Sequence, residues 1–241
     1  MDDYNFLNIP DSCFIGSTIY KKLFYENANL SSSDKHLFTD IINKIVWLYC
    51  LKPETINIPV YKDEVREYPE IEVIEVILNK EYGLNRIAEI IMRTIPYPML
   101  LIFKLEDKIR FYMAHQRTSQ SDSSKNTIEE FISTDWLRND SALFAKLDIK
   151  QMRFTNFYTL YSDIVDAISI YNLSAIMPTD DTITGAEARE LSVKIEDIEQ
   201  RIANLRSKLK KESQFNRKME LNIEIKRLEQ SKNKLLGGDN E

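Results

Sequence analysis

Three glutamates, Glu70, Glu72 and Glu75, follow Asp63 in a stretch rich in β-branched residues. Carboxylates gathered at a strand end beside a lysine are what metal-dependent phosphodiester hydrolysis requires, since bound dications stabilise both the attacking and the leaving oxygen. The lysine is out of place here. Lys80 lies five residues beyond Glu75 rather than two, and Glu106-Asp107-Lys108 falls where a tight turn is expected. Carboxylates facing solvent on a half-exposed sheet account for the pattern more simply, so a divergent nuclease is the second reading and not the first.

The other reactive residue types are sparse. His36 and His115 are the only histidines, one near a helix start and one sharing strand parity with Ile109, Phe111 and Met113. A structural or exposed imidazole is the simpler reading of both. Cys13 and Cys50 stand apart among apolar neighbours and read as buried free thiols; two His and two separated Cys do not have zinc-site spacing. No Walker A, GxGxxG or GxSxG occurs, and five glycines in the whole chain argue against a phosphate-cradling fold. No catalytic, cofactor-binding or metal-ligating residue is therefore assigned, and no cofactor is expected.

These residues need a scaffold, and composition supplies one. The chain has 241 residues, 43% of them apolar, with eleven Phe and twelve Tyr, enough for one substantial body plus an appendage. No apolar run approaches the roughly 20 residues of a membrane span. Two acids open the chain where a secretory signal carries positive charge, so a cytoplasmic location is expected.

Periodicity predicts helices over Ser17–Glu26 and from Ser31 to Leu51, the latter on Leu37, Ile41, Ile45 and Leu48. Strands are expected at Thr55–Val60, Ile71–Leu78, Met99–Leu105, Ile109–Arg117 and Ile128–Thr134, the third and fourth joined as a hairpin. Within Ile71–Leu78, Glu72 and Glu75 fall on opposite faces. A helix is expected at Leu84–Thr94, ended by Pro96-Tyr97-Pro98. Another runs from Leu147 to Tyr171 with Phe154, Phe157, Tyr158 and Tyr161 on one core-facing stripe. Residues 118–125 read as a polar loop.

The expected architecture is α+β: an antiparallel or mixed sheet of about five strands flanked by helices, followed by a C-terminal coiled-coil helical arm. The boundaries are a body at 1–172, a linker at 173–185 and the arm at 186–236. In the arm Leu191, Ile195, Ile198, Ile202, Leu205 and Leu209 alternate four and three apart, and Leu221, Ile225 and Leu228 resume the seam after a slip of two residues. The slip fits either a hairpin turning at 212–216 or one long helix with a second face, and no Gly or Pro decides between them.

Charge is unevenly spread. Residues 185–241 hold thirteen cations and eleven acids, whereas 1–184 hold nineteen and twenty-seven. Arg206, Lys208, Lys210, Lys211, Arg217 and Lys218 make the arm's middle basic, a candidate contact for nucleic acid or an acidic partner. The apolar seam is the candidate docking surface for a protein partner or a second copy.

Five phrases in fixed order are more specific than any motif. They are KKLFYENANLSS at 21–32, KIVWLYCLKPETINI at 44–58, TIPYPMLLIF at 94–103, FISTDWL at 131–137 and KKESQFNRKMELNIEIKRLE at 210–229. Together they resemble an uncharacterised bacterial family catalogued as domain of unknown function 4391, over nearly the whole chain. The resemblance implies an α+β body with a charged C-terminal helix, encoded beside helicase-like ATPases and DNA methyltransferases in restriction-like defence islands. It carries no catalytic residues. With the missing catalytic constellation it points to a non-catalytic adaptor subunit of an anti-phage complex. Its partner would be such an ATPase or methyltransferase, with any nucleic-acid contact indirect. A direct nucleic-acid binder using the basic arm is a further alternative.

Overall fold

A computed structural model of the chain describes residues 4–118, 126–138, 140–180 and 182–237. The chain divides between Ile168 and Ser169 into two compact units. The polar loop expected at 118–125 lies outside the described residues except for the backbone of Thr118.

The first unit is built on a six-stranded sheet. Its strands are β1 (Phe14–Thr18), β2 (Ile42–Leu51), β5 (Ile71–Leu78), β6 (Met99–Leu105), β7 (Lys108–Thr118) and β8 (Asn126–Ser133), in that spatial order. A separate two-stranded ribbon pairs β3 (Tyr61–Lys62) with β4 (Glu67–Tyr68). Every neighbouring pair in the large sheet is antiparallel except β5 and β6. Parallel strands need a crossover, and helix α4 (Leu84–Thr94) supplies it. The sheet is therefore mixed and has one more strand than expected.

The extra strands come from segments whose periodicity suggested helix. Ser17–Glu26 splits into the end of β1 and a short α1 (Lys22–Asn27). After α2 (Ser32–His36), one wide helical turn at Leu37–Ile41 ends in the ten-residue β2. The run INKIVWLYCL is β-branched and aromatic, and pairing with β1 on one side and β5 on the other outweighs the helical spacing. Ser31 caps α2: its hydroxyl accepts from the Asp34 N–H, and Asp34 accepts from the Ser31 N–H. The strand expected at Thr55–Val60 is instead a helical turn, α3 (Pro53–Ile56), closed by Asn57 in the left-handed conformation at φ 57°.

The core covers one sheet face with α1, α4 and the turn at 37–41. Phe24, Phe38, Ile45, Ile74, Val76, Ile87, Ile91, Leu101 and Phe103 are all buried there. Each such side chain contributes roughly 1.5–3 kcal/mol. On the other face Phe6 packs edge-on to Phe111 and stacks on Phe144 at 4.2 Å. Helix α5 (Phe157–Ser174) begins ten residues after the expected start at Leu147, leaving Phe154 exposed outside it.

Pairing of β6 with β7 stops at Leu101 and Tyr112. One step further the Tyr161 hydroxyl, from α5, stands between the strands: it accepts from the Ala114 N–H at 3.1 Å and donates towards the Met99 and Ala114 carbonyls at 3.0 and 2.9 Å. The Tyr68 hydroxyl from β4 accepts the Gln116 N–H at 3.2 Å in the same way. Two tyrosines thus complete the ladder where β6 runs out.

The second unit is a helical hairpin, α6 (Gly185–Lys211) and α7 (Phe215–Leu235), joined by three residues. Of the two arrangements left open above, the chain adopts the hairpin.

Candidate functional site

The carboxylate group does not assemble as three. Glu72 and Glu75 lie on opposite faces of β5, as alternation requires, and Glu75 accepts a hydrogen bond of 2.5 Å from the Tyr4 hydroxyl. Glu70 and Glu72 do come together, and their third companion is Cys50, at the end of β2 opposite Glu72. One ligand atom from each lies within 4.8 Å of the others. The Cys50 thiol donates to Glu70 Oε2 at 3.7 Å, and the Trp47 indole N–H donates to Glu72 Oε2 at 2.5 Å.

An irregularity in β2 makes this possible. Trp47 and Cys50 are three residues apart and would face opposite sides of a regular strand. The register shifts between Trp47 and Tyr49, inserting one residue, so both side chains meet Glu72. Sequence reasoning set Cys50 aside as an isolated thiol, because the partners that surround it are 20 or more residues away.

Burial governs the protonation of this cluster. It pushes Glu72 up to about 7, with the neighbouring Glu70 charge adding to the rise and the Trp47 N–H opposing it. Burial, then the two glutamates, push the Cys50 thiol up to about 12. A folded value above the unfolded carboxylate value of about 4.3 means that Glu72 stabilises the fold most when protonated. Its contribution is complete below about pH 4 and is lost as pH rises through 7, roughly a few kcal/mol in all. Urea unfolding in metal-free buffer at pH 5 and 7.5 measures this; Glu72→Gln should flatten the difference.

The histidines fit structural roles. His36 is exposed beside Asp40, and His115 Nδ1 lies 2.8 Å from the Tyr68 hydroxyl, among Tyr158 and Tyr161. Cys13 and Cys50 are buried free thiols, as expected.

In the second unit the predicted seam meets itself. Ile202, Leu205 and Ile225 are buried, with Ile198, Leu209, Leu221 and Leu228 packed around them. Leu191 and Ile195 pack with Leu173, Ala188 and Leu235. Arg206–Glu229 and Lys232–Glu199 ion pairs tie the two helices across the seam. The turn lacks Gly and Pro because Glu212 does their work: its Oε1 accepts from the Ser213 and Gln214 N–H groups at 2.8 and 2.9 Å. Glu212→Ala should therefore reduce the hairpin's helical signal in circular dichroism.

Of the predicted basic contacts, Arg206 is committed to Glu229. Lys208, Lys210, Lys211, Arg217 and Lys218 make no ion pair among the described residues, though Glu212, Glu220 and Glu224 share a shallow cleft with Lys208, Lys211 and Arg217. The outer side of α7 is apolar instead. Phe215, Met219 and Ile223 recur at i, i+4 and i+8 and are 73%, 48% and 49% exposed. Sequence reading missed this stripe, since the same window also holds the seam residues and the period alone does not say which set turns inward.

The model of a family described as a domain of unknown function (DUF4391) matches residues 7–231. The chain belongs to this family. The match spans the sheet, the thiol–carboxylate cluster and nearly all of the arm. No curated protein and no solved structure matches the chain. Among the described residues, no helix is long and apolar enough to cross a membrane.

Proposed function

We propose that this member of the DUF4391 family is a non-catalytic adaptor subunit of a bacterial anti-phage, restriction-like complex, docking through its helical arm onto a helicase-like ATPase or DNA methyltransferase. The observation that carries the reading is the Phe215, Met219, Ile223 stripe. A hairpin needs its inner seam to fold, and that need is met by Ile202, Leu205 and Ile225. Three further apolar side chains stay about half exposed or more on the outer face, and a second protein covering them gains the rest of their burial. The cations of the hairpin's turn flank the stripe and favour an acidic rim on that partner. The nuclease alternative has less support, because Glu75 is turned away from Glu70 and Glu72. Direct nucleic-acid binding has less too, because acids interleave with the arm's cations.

The test is affinity purification of the tagged full chain from its native host, compared with a Phe215→Ser, Met219→Ser, Ile223→Ser triple variant. A stoichiometric ATPase or methyltransferase should accompany the parent chain, and its recovery should fall by roughly tenfold or more in the variant, with helical content unchanged. Recovery of the parent chain alone, or an undiminished partner in the variant, would sink the proposal.

A further inference from the structure

We propose that Cys50, Glu70 and Glu72 form a binding site for a borderline-soft divalent cation of the Zn2+ class. The site lies in the first unit and is independent of how the arm docks. One thiol and two carboxylates come from three places: the end of β2, the residue before β5, and the second position of β5. It is the one such group of three among the described residues. A tetrahedral zinc, with Zn–S of about 2.3 Å and Zn–O of about 2.0–2.2 Å, holds sulfur and oxygen ligands about 3.5 Å apart. Cys50 Sγ and Glu70 Oε2, at 3.7 Å, already stand near that spacing.

Two further observations point to a cation. Cys50 and Glu72 are 4% and 3% exposed, yet neither Glu70 nor Glu72 makes an ion pair among the described residues. Lys52 acts on Cys50 only through space. Glu70 and Glu72 hydrogen-bond each other through a shared proton, and a dication would replace that proton and the thiol's while bridging the same donor atoms. The Trp47 indole N–H, held on Glu72 Oε2 by the shifted register of β2, is the kind of outer hydrogen bond that orients a ligating carboxylate. The sulfur donor selects the metal class: Mg2+ and Ca2+ favour all-oxygen sites, whereas a thiolate with carboxylates suits Zn2+ or Co2+. Water or a second carboxylate oxygen is left to complete the tetrahedron.

The experiment uses the full chain, stripped with a chelator and titrated with Zn2+ against a chromophoric competitor, then with Co2+ as a spectroscopic stand-in. One equivalent of Zn2+ is expected, and the Co2+ form should show the near-ultraviolet absorption of a thiolate-to-cobalt charge transfer. Cys50→Ser should abolish that absorption, and Glu72→Gln should weaken uptake by about tenfold or more. Glu75→Gln, on the opposite face, should change neither. Failure to take up one equivalent, or uptake indifferent to Cys50→Ser, overturns the site. If the variants do not fold, the parent chain still decides: saturable Co2+ binding without the thiolate band excludes Cys50 as a ligand and overturns it equally.

Discussion

Tyr161→Phe should lower the stability of the first unit by roughly 2–4 kcal/mol, although it removes a single oxygen. That oxygen stands between β6 and β7 where Met99 and Ala114 would otherwise pair directly. Without it, a buried N–H and buried carbonyls lose their partners, at about 1–3 kcal/mol each before relaxation. Tyr158→Phe is the control. Tyr158 lies three residues earlier on the same helix and stacks on Tyr61 at 4.8 Å, but its hydroxyl makes no hydrogen bond among the described residues. Its loss should cost within about 0.5 kcal/mol. Thermal unfolding separates the two, each kcal/mol lowering Tm by about 2–4 °C in a unit of this size. Equal effects would mean that the ladder's end is satisfied in some other way.

Asp34→Ala should be about as damaging, by roughly 2–4 kcal/mol, through a lost helix cap and lost charge-assisted hydrogen bonds. The Asp34 side chain is 7% exposed and accepts from Arg86 Nε at 2.8 Å, Arg86 Nη2 at 2.9 Å and the Ser31 backbone and hydroxyl at 3.0 and 2.9 Å. Its loss uncaps α2 and removes the ion pair that joins that cap to α4, leaving Arg86 paired with Glu89 alone. The Arg86 guanidinium beside Asp34 holds its carboxyl well below the usual carboxylate range. The depressed folded value sets the sign: its contribution is present above about pH 4 and is lost as pH falls below that. Glu72 has the opposite sign, losing its contribution as pH rises. The parent chain should therefore be most stable in mildly acid solution, between the two. Asp34→Ala should remove the acid limb and Glu72→Gln the neutral one, a pattern that chemical denaturation from pH 3 to 8 reads directly.

The helical arm and helix α4 were legible because long amphipathic segments leave little choice, though not that α4 is a crossover. Leu84–Thr94 is helical over its expected span, and the nine predicted seam residues all lie on α6 and α7, seven of them packing within the hairpin and Leu191 and Ile195 packing with Leu173 of α5 as well as Leu235. The β6–β7 hairpin was legible for a related reason: an apolar run, a charged turn and a second apolar run within twenty residues. Misreadings cluster at 17–60. There Ile41, Ile45 and Leu48 satisfy a helical period in a run of β-formers, and the two register shifts in β2 break the strict alternation that would have marked a strand. Pairing with β1 and β5 decided the matter, and those contacts are not local.

The candidate cation site follows the same division. Residue types alone establish that the chain carries no familiar catalytic motif, that its body is acidic and aromatic, and that its C-terminal fifth is an amphipathic helical arm. They also place Glu72 and Glu75 on opposite strand faces, because alternation is a property of the extended chain. Which carboxylate meets the thiol is another kind of fact. It depends on one inserted residue in β2, which turns Cys50 and Trp47 to the same side, and on the register that sets Cys50 opposite Glu72. Register and burial arise only when strands distant in sequence pair. They, and not the spacing of Cys50, Glu70 and Glu72 along the chain, bring a thiol and two carboxylates into one buried cluster.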